Sequence, residues 1–223
     1  CTANDVAIFN APGVLNHSTA SSALMFMLAL AKRLPQQDRI TRAGRWDQQA
    51  AVLGGEIQGR TLGIIGLGPS GQELVRLVAP FGMQVLAYSP HADPERACAL
   101  GVRLTSLDEV LGESDFVSLH CRLTHETRGM LGAAQLAMMK PTAYLVNVAR
   151  GELIDQAALV AVLEGRQIAG AALDVFEQEP LPADDPLTKF DNVVLAPHWS
   201  CSTADIWAAT GRAMAEGMLR AAR

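Results

Sequence analysis

Gly66, Gly68 and Gly71 fall in a G-x-G-x-x-G spacing within G-R-T-L-G-I-I-G-L-G-P-S-G, residues 59 to 71, and that spacing has a mechanical meaning. The first glycine permits a tight turn. The second lets the backbone approach a pyrophosphate, and the third lets the following helix pack against the preceding strand. Leu62 to Ile65 is a short, apolar, β-branched run that reads as a buried strand. Pro69 suits the first turn of a helix running to Ala79, whose free amides would face phosphate groups. The stretch therefore suits a dinucleotide, and the competing reading is a purely structural turn between strand and helix.

The elements that would position this turn alternate along the chain. Val6 to Phe9 reads as a strand closed by the turn Asn10 to Gly13. His17 to Leu34 reads as one helix, opened by Ser and Thr residues able to cap it and stopped before Pro35. Its apolar residues cover more than one stripe, so it reads as buried on two sides, one of which suits a second subunit. Arg42 to Gln49 reads as an irregular arm in which Trp46 packs. After the glycine turn come strands at Gln84 to Tyr88, Val102 to Leu104, Asp115 to Leu119, Ala143 to Val148, Ile168 to Leu173 and Val193 to Leu195. Helices are expected at Pro94 to Leu100, Leu107 to Leu111 with Ser106 as cap, Asp155 to Glu164, and about Thr203 to Ala222. Strands alternating with helices imply an α/β fold, a doubly wound parallel sheet covered on both faces. The acidic, proline-bearing stretch Glu177 to Asp191 is a long loop, and long ordered loops are often functional.

Composition narrows the partners. The chain has 223 residues, 49% apolar and 18% charged, an ordinary balance for a globular protein. A net charge of -5 with scattered Lys and Arg gives no basic footprint, which argues against nucleic acid or an anionic membrane as partner. Cys1, Cys98, Cys121 and Cys201 form no C-x-x-C pair, so neither a zinc ribbon nor a disulfide framework is indicated, and a reducing cytoplasm suits them. The longest apolar run, Ala23 to Ala31, is too short for a membrane span. His198 and Cys201 alone make no metal site, and none is expected.

Five motifs in order carry a wider likeness: GRTLGIIGLGPSG, DFVSLHCRLTHETRGML, MMKPTAYLVNVARGELIDQAALVAVLEG, IAGAALDVFEQEPLPADDPL and NVVLAPHWS. From about Asn10 onward the chain resembles the D-2-hydroxyacid dehydrogenases. The resemblance implies a Rossmann-type cofactor domain inserted in a flavodoxin-like substrate domain, which interconverts 2-oxo acids and D-2-hydroxy acids with NAD or NADP. Residues 1–16 would end the substrate domain, 17–202 form the dinucleotide-binding domain, and 203–223 return toward the substrate domain. The resemblance also implies a homodimer formed through the cofactor domain.

Arg150, in N-V-A-R-G, matches the arginine that holds the substrate carboxylate; Glu179, in F-E-Q-E-P, matches the glutamate supporting the histidine; His198, in A-P-H, matches the acid/base. The residue types suit those roles. Arginine offers a planar fork to a carboxylate, and histidine can give a proton to a carbonyl oxygen while a nearby carboxylate keeps that proton available. Glu177 competes with Glu179, and His17, His91 and His125 read as surface or capping residues. The resemblance further implies cofactor contacts at Gly66, Gly68, Pro69, Ser70 and Gly71, at Ser89 and His91, at His120, Cys121 and Thr127, at Val148 and Ala149, and at His198 and Ser200. Asp174 would receive the nicotinamide carboxamide, with a structural bond to backbone amides as the alternative.

The chain also departs from the family. Ser89 stands where NAD-dependent Rossmann domains usually carry Asp or Glu, with only His91 and Arg96 nearby. Dual cofactor use is expected, NAD slightly ahead. Arg122 replaces the proline of the family's H-x-P-L-T, and Trp199 and Ser200 follow the histidine in place of small residues, so the substrate class stays open. An isolated cofactor domain would bind dinucleotide but catalyse poorly. Two other readings remain: a dinucleotide-sensing interaction protein like the related corepressors, and a related dehydrogenase acting on formate or phosphite.

Overall fold

The computed structural model describes residues 8, 10, 11 and 13–221. In chain order the elements are α1 (Asn16–Ala31), α2 (Leu34–Arg42), β1 (Thr61–Ile65), α3 (Pro69–Val78), β2 (Gln84–Tyr88), α4 (Pro94–Ala99), β3 (Val102–Leu104), α5 (Leu107–Glu113), β4 (Phe116–Leu119), α6 (Ala133–Leu136), β5 (Tyr144–Asn147), α7 (Gln156–Glu164), β6 (Gly170–Leu173), β7 (Val193–Leu195) and α8 (Ala204–Ala221). The expected Val6 to Phe9 strand lies, except for Ile8, outside the described residues.

All seven strands join one parallel sheet in the order β3-β2-β1-β4-β5-β6-β7. The chain winds outward from β1 to β3, crosses back to β4 on the other side of β1, and winds outward again. The loops that leave the carboxyl ends of β1 and β4 therefore run to opposite sides of the reversal, where open α/β sheets bind their ligands.

Alternation within the strands feeds two cores, since neighbouring side chains of a strand point to opposite faces. Leu62, Ile64, Val85, Ala87, Phe116, Val146 and Ala172 meet α1 and α3 on one face. Ile65, Leu86, Val117, Leu119, Leu145, Ala171 and Leu173 meet α5 and α7 on the other. Burying a Leu or Ile side chain is worth about 1.5–3 kcal/mol, so the two layers hold the sheet rigid beneath the crevice. Helix starts are specified locally. Asp93, Ser106 and Asp155 accept hydrogen bonds from the amides of Glu95, Glu109 and Ala158, each closing an orphan N–H of a first turn.

Three expectations at the start of the chain are corrected. The single helix from His17 to Leu34 is two helices, because Arg33 adopts a left-handed conformation (φ 52°) and α2 restarts at Leu34 with Pro35 in its first turn. Proline lacks the amide that a first turn leaves unpaired anyway, so it opens this helix as well as closing the one before. The Ser and Thr residues of α1 do not cap it: Leu15 is the N-cap, with no side-chain bond. The arm also differs from expectation. Trp46–Val52 is a 3-10 helix, and Trp46 is 65% exposed instead of packed within the chain.

Candidate active site

The glycine turn lies at the reversal point of the sheet. Gly66 has φ 97°, its amide donates to the carbonyl of Tyr88, and a Cβ there would stand 2.5 Å from the amide nitrogen of Cys121. Gly71 lets α3 sit on β1, since a Cβ would come within 2.6 Å of the Gly66 carbonyl oxygen. Gly68 caps α3 without a side-chain bond, and a Cβ on it would meet no atom within 4 Å. The start of α3 thus presents free amides beside open space, a fitting cradle for a pyrophosphate.

Three residues distant in sequence converge beyond the other half of the sheet. Nδ1 of His198 lies 2.7 Å from Oε2 of Glu179, which leaves Nε2 open to another partner. The other carboxylate oxygen of Glu179 accepts the amide of Phe176 at 3.0 Å. Burial opposes the charge on Glu179, yet the hydrogen bonds from His198 and the Phe176 amide, with the charges of His198 and Arg150, outweigh it and hold the carboxyl below the usual carboxylate range. The stability drawn from this carboxylate is present above its ordinary value and lost as pH falls through the lowered one. Glu177 is placed elsewhere, accepting the amide of Gln156 at the start of α7. The pair lines a cleft of about 640 Å³ with Phe176, Pro180, Leu181, Leu195 and Pro197. A smaller cavity of about 300 Å³, among Arg60, Asp115 and Tyr144, lies at the amino-terminal ends of β1, β4 and β5.

Arg150 is exposed at the end of the β5 loop. Fully buried Asn147 shapes that loop: its amide donates to the Arg150 carbonyl at 2.8 Å, and its oxygen accepts the Ala149 amide at 3.0 Å. Sequence reasoning missed Asn147, although a polar residue closing an apolar strand was a readable signal. Val148 and Ala149 are half-buried in the same loop.

His198 itself sits at φ 55°, a conformation that persists only where surroundings hold it. Asp174, 2% exposed, accepts the amides of Trp199 and Ser200 and the Ser200 hydroxyl at 2.7 Å. Asp174 therefore makes the bonds to backbone amides that were its alternative expectation. From α1, Ser18 donates to the Cys201 carbonyl at 2.7 Å and Ser22 to the Ser200 carbonyl at 2.8 Å. These hydroxyls clamp the loop instead of capping the helix. Replacing both by alanine is expected to cost about 1 kcal/mol per lost bond, to leave dinucleotide affinity intact and to lower turnover through a looser His198. Wild-type turnover in the double variant would deny them that role.

His120 stands at the end of β4, with Nε2 3.0 Å from the Ser118 hydroxyl and Nδ1 3.2 Å from that of Ser70 in α3. Both nitrogens are engaged, consistent with a cleft wall and not an acid. Burial pushes its pKa down from 6.5 to about 4, so between those values the unfolded chain binds a proton that the folded one refuses. Stability is full above pH 6.5 and falls on acidification, by about 2 kcal/mol at pH 5 relative to pH 7.5. Denaturant titrations at both pH values should show this loss, and His120→Gln should remove it; an equal loss in the variant would discard the assignment. Burial likewise raises the Cys121 thiol to about 11. Thr127 braces the following loop, donating to the Arg122 carbonyl and accepting the Thr124 amide, both at 2.7 Å. Ser89 is half-buried and His91 exposed after β2.

A doubly wound parallel sheet with a glycine turn suited to phosphate at its reversal point, and a histidine–carboxylate pair in a cleft beyond the carboxyl ends of β6 and β7, defines a Rossmann-type dinucleotide-binding domain. Residues 24–200 match the family described as D-isomer specific 2-hydroxyacid dehydrogenase, NAD binding domain, and the chain belongs to that family. It is 43% identical over 221 residues to the glyoxylate reductase of Korarchaeum cryptofilum, covering 98% of this chain and 67% of that protein. To the D-3-phosphoglycerate dehydrogenase of Archaeoglobus fulgidus it is 40% identical over 222 residues, covering all of this chain and 42% of that one. Among solved structures, the acyclic imino acid reductase Bsp5 in complex with NADPH and D-Arg superimposes with a TM-score of 0.87 at 28% identity, over 97% of this chain and 68% of that one. The chain thus spans between two fifths and two thirds of these relatives. Among the described residues no helix is long and apolar enough to cross a membrane.

Proposed function

We propose that the protein is a dehydrogenase that interconverts a 2-oxo acid and its D-2-hydroxy acid with NAD or NADP. The contact that carries this reading is His198 Nδ1 to Glu179 Oε2 at 2.7 Å, with the charge of Arg150 felt at the same carboxylate. A bound nicotinamide supplies the hydride. Arg150 binds the substrate carboxylate and fixes which face of the oxo carbon is presented. His198 holds a proton on Nε2 toward the oxo oxygen, and Glu179 orients the ring and balances its charge when protonated. Asp174, through its hold on Trp199 and Ser200, keeps His198 in place and is suited to the nicotinamide carboxamide as well.

Residues 17–202 are read as the dinucleotide domain, 1–16 as the end of a substrate domain and 203–223 as a segment returning to it. In support, α8 leaves Trp207, Met214, Met218 and Leu219 exposed. The reading includes a homodimer joined through the cofactor domain, supported by exposed Met25, Leu34, Trp46 and Leu53 around α1 and its arm, and a cytoplasmic location. Light scattering of the full-length chain at monomer mass would remove the dimer.

The deciding experiment follows absorbance at 340 nm with full-length protein, NADH or NADPH, and glyoxylate, pyruvate, hydroxypyruvate and bulkier 2-oxo acids. Oxidation of both cofactors, with kcat/KM within about a hundredfold of each other, is expected. No oxidation with any acid would favour a dinucleotide-sensing binding module.

A further inference from the structure

We propose that the adenosine end of the crevice is a binding site for a 2′-phosphate, with the Arg122 guanidinium as its specificity-determining cation and Ser89 as its neutral floor. This inference rests on the dinucleotide reading above.

Placement comes from the sheet. Ile65 pairs with Tyr88 of β2 on one side and Leu119 of β4 on the other. The Gly66 amide donates to the Tyr88 carbonyl, and the His120 amide donates to the Ile65 carbonyl. Ser89 is therefore the first residue after β2 and Arg122 the third after β4, in the two loops on either side of the glycine turn. Neighbouring strands lie about 4.8 Å apart, so these loops straddle β1 at a separation of about 10 Å, wide enough for a ribose between them. Cys121, immediately before Arg122, already abuts Gly66.

The charges favour a phosphate over a bare hydroxyl. Ser89 offers no carboxylate to accept a ribose 2′-hydroxyl or to repel a phosphate. The acids nearest in sequence, Asp93 and Glu126, accept the amide of Glu95 and the Thr124 hydroxyl, and neither forms an ion pair with Arg122 among the described residues. Among the described residues the exposed side chain of Arg122 makes no ion pair or hydrogen bond, whereas its backbone is fixed by Thr127. A free guanidinium on a braced loop is preorganised for an oxyanion, and arginine matches phosphate geometry through paired N–H donors.

Calorimetry on this chain with 2′,5′-ADP and 5′-AMP reads the subsite without turnover. Wild type should bind 2′,5′-ADP about tenfold tighter than 5′-AMP, the usual scale of one charge-assisted bond. Arg122→Pro and Arg122→Ala should erase that ratio while leaving 5′-AMP affinity unchanged. Ser89→Asp should reverse it. A ratio that survives in both Arg122 variants would overturn the proposal, as would an equal loss of both nucleotides, which would mean stacking on adenine. Binding of neither nucleotide, nor of NADH, by wild type would instead count against the dinucleotide reading itself.

Discussion

Replacing His198 with glutamine in the full-length chain should lower kcat by about 10²–10⁴-fold, the usual contribution of a positioned general acid, while the dissociation constant for NADH changes little. Glutamine preserves a hydrogen bond to Glu179 but cannot release a proton to the oxo oxygen. The expected signature is a fall in kcat and in kcat/KM together, because the lost interaction exists only as the transition state forms. Glu179→Gln should be milder, since it spares the acid and removes the carboxylate that orients it. Because Glu179 is held below the usual carboxylate range, the wild-type pair should stay intact down to that lowered value and lose activity below it. A His198→Gln enzyme that turns over at the wild-type rate would remove the acid from the mechanism.

The second large effect falls on a residue that touches no substrate. A Cβ on Gly151 would stand 1.9 Å from the carbonyl carbon of Phe176 and 2.1 Å from its oxygen. Both are backbone atoms of the segment that presents Glu179, so no flexible side chain can swing aside. Gly151→Ala should therefore push the Arg150 loop away from the Glu179 loop, at about 3 kcal/mol or more, and lower Tm by roughly 6–12 °C. In the full-length enzyme kcat/KM should drop at least tenfold, since small misplacements of a carboxylate anchor are costly. A thermal melt matching wild type would show that the close approach is not required.

These two residues also mark how far the sequence could be read. Gly66, Gly68 and Gly71 announced their turn because each role depends on near neighbours: a positive φ, an open face for a ligand, a helix resting on its own strand. The cap residue Ser106 was legible for the same reason, whereas the caps Asp93 and Asp155 emerged only with the structure. Gly151 stood out only as part of a motif, and its partner, the Phe176 backbone, lies 25 positions away. Ser18 and Ser22 looked like helix caps and instead hold the carbonyls of Cys201 and Ser200. Arg33 gave no local hint of its left-handed turn, and Pro35 read as a stop although it serves equally as a start.

The amino-acid order by itself determined the parallel α/β sheet, the glycine cradle and the presence of an arginine, a glutamate and a histidine fit for carboxylate binding and proton transfer, since all of these follow from local periodicity and side-chain chemistry. Only the tertiary structure decided that Glu179 and His198 meet at 2.7 Å, that His198 is held at a positive φ by Asp174 and two serines of α1, and that Arg150 shares their field. Those distances depend on which strands adjoin and on bonds spanning as many as 183 positions, and no short-range pattern encodes them.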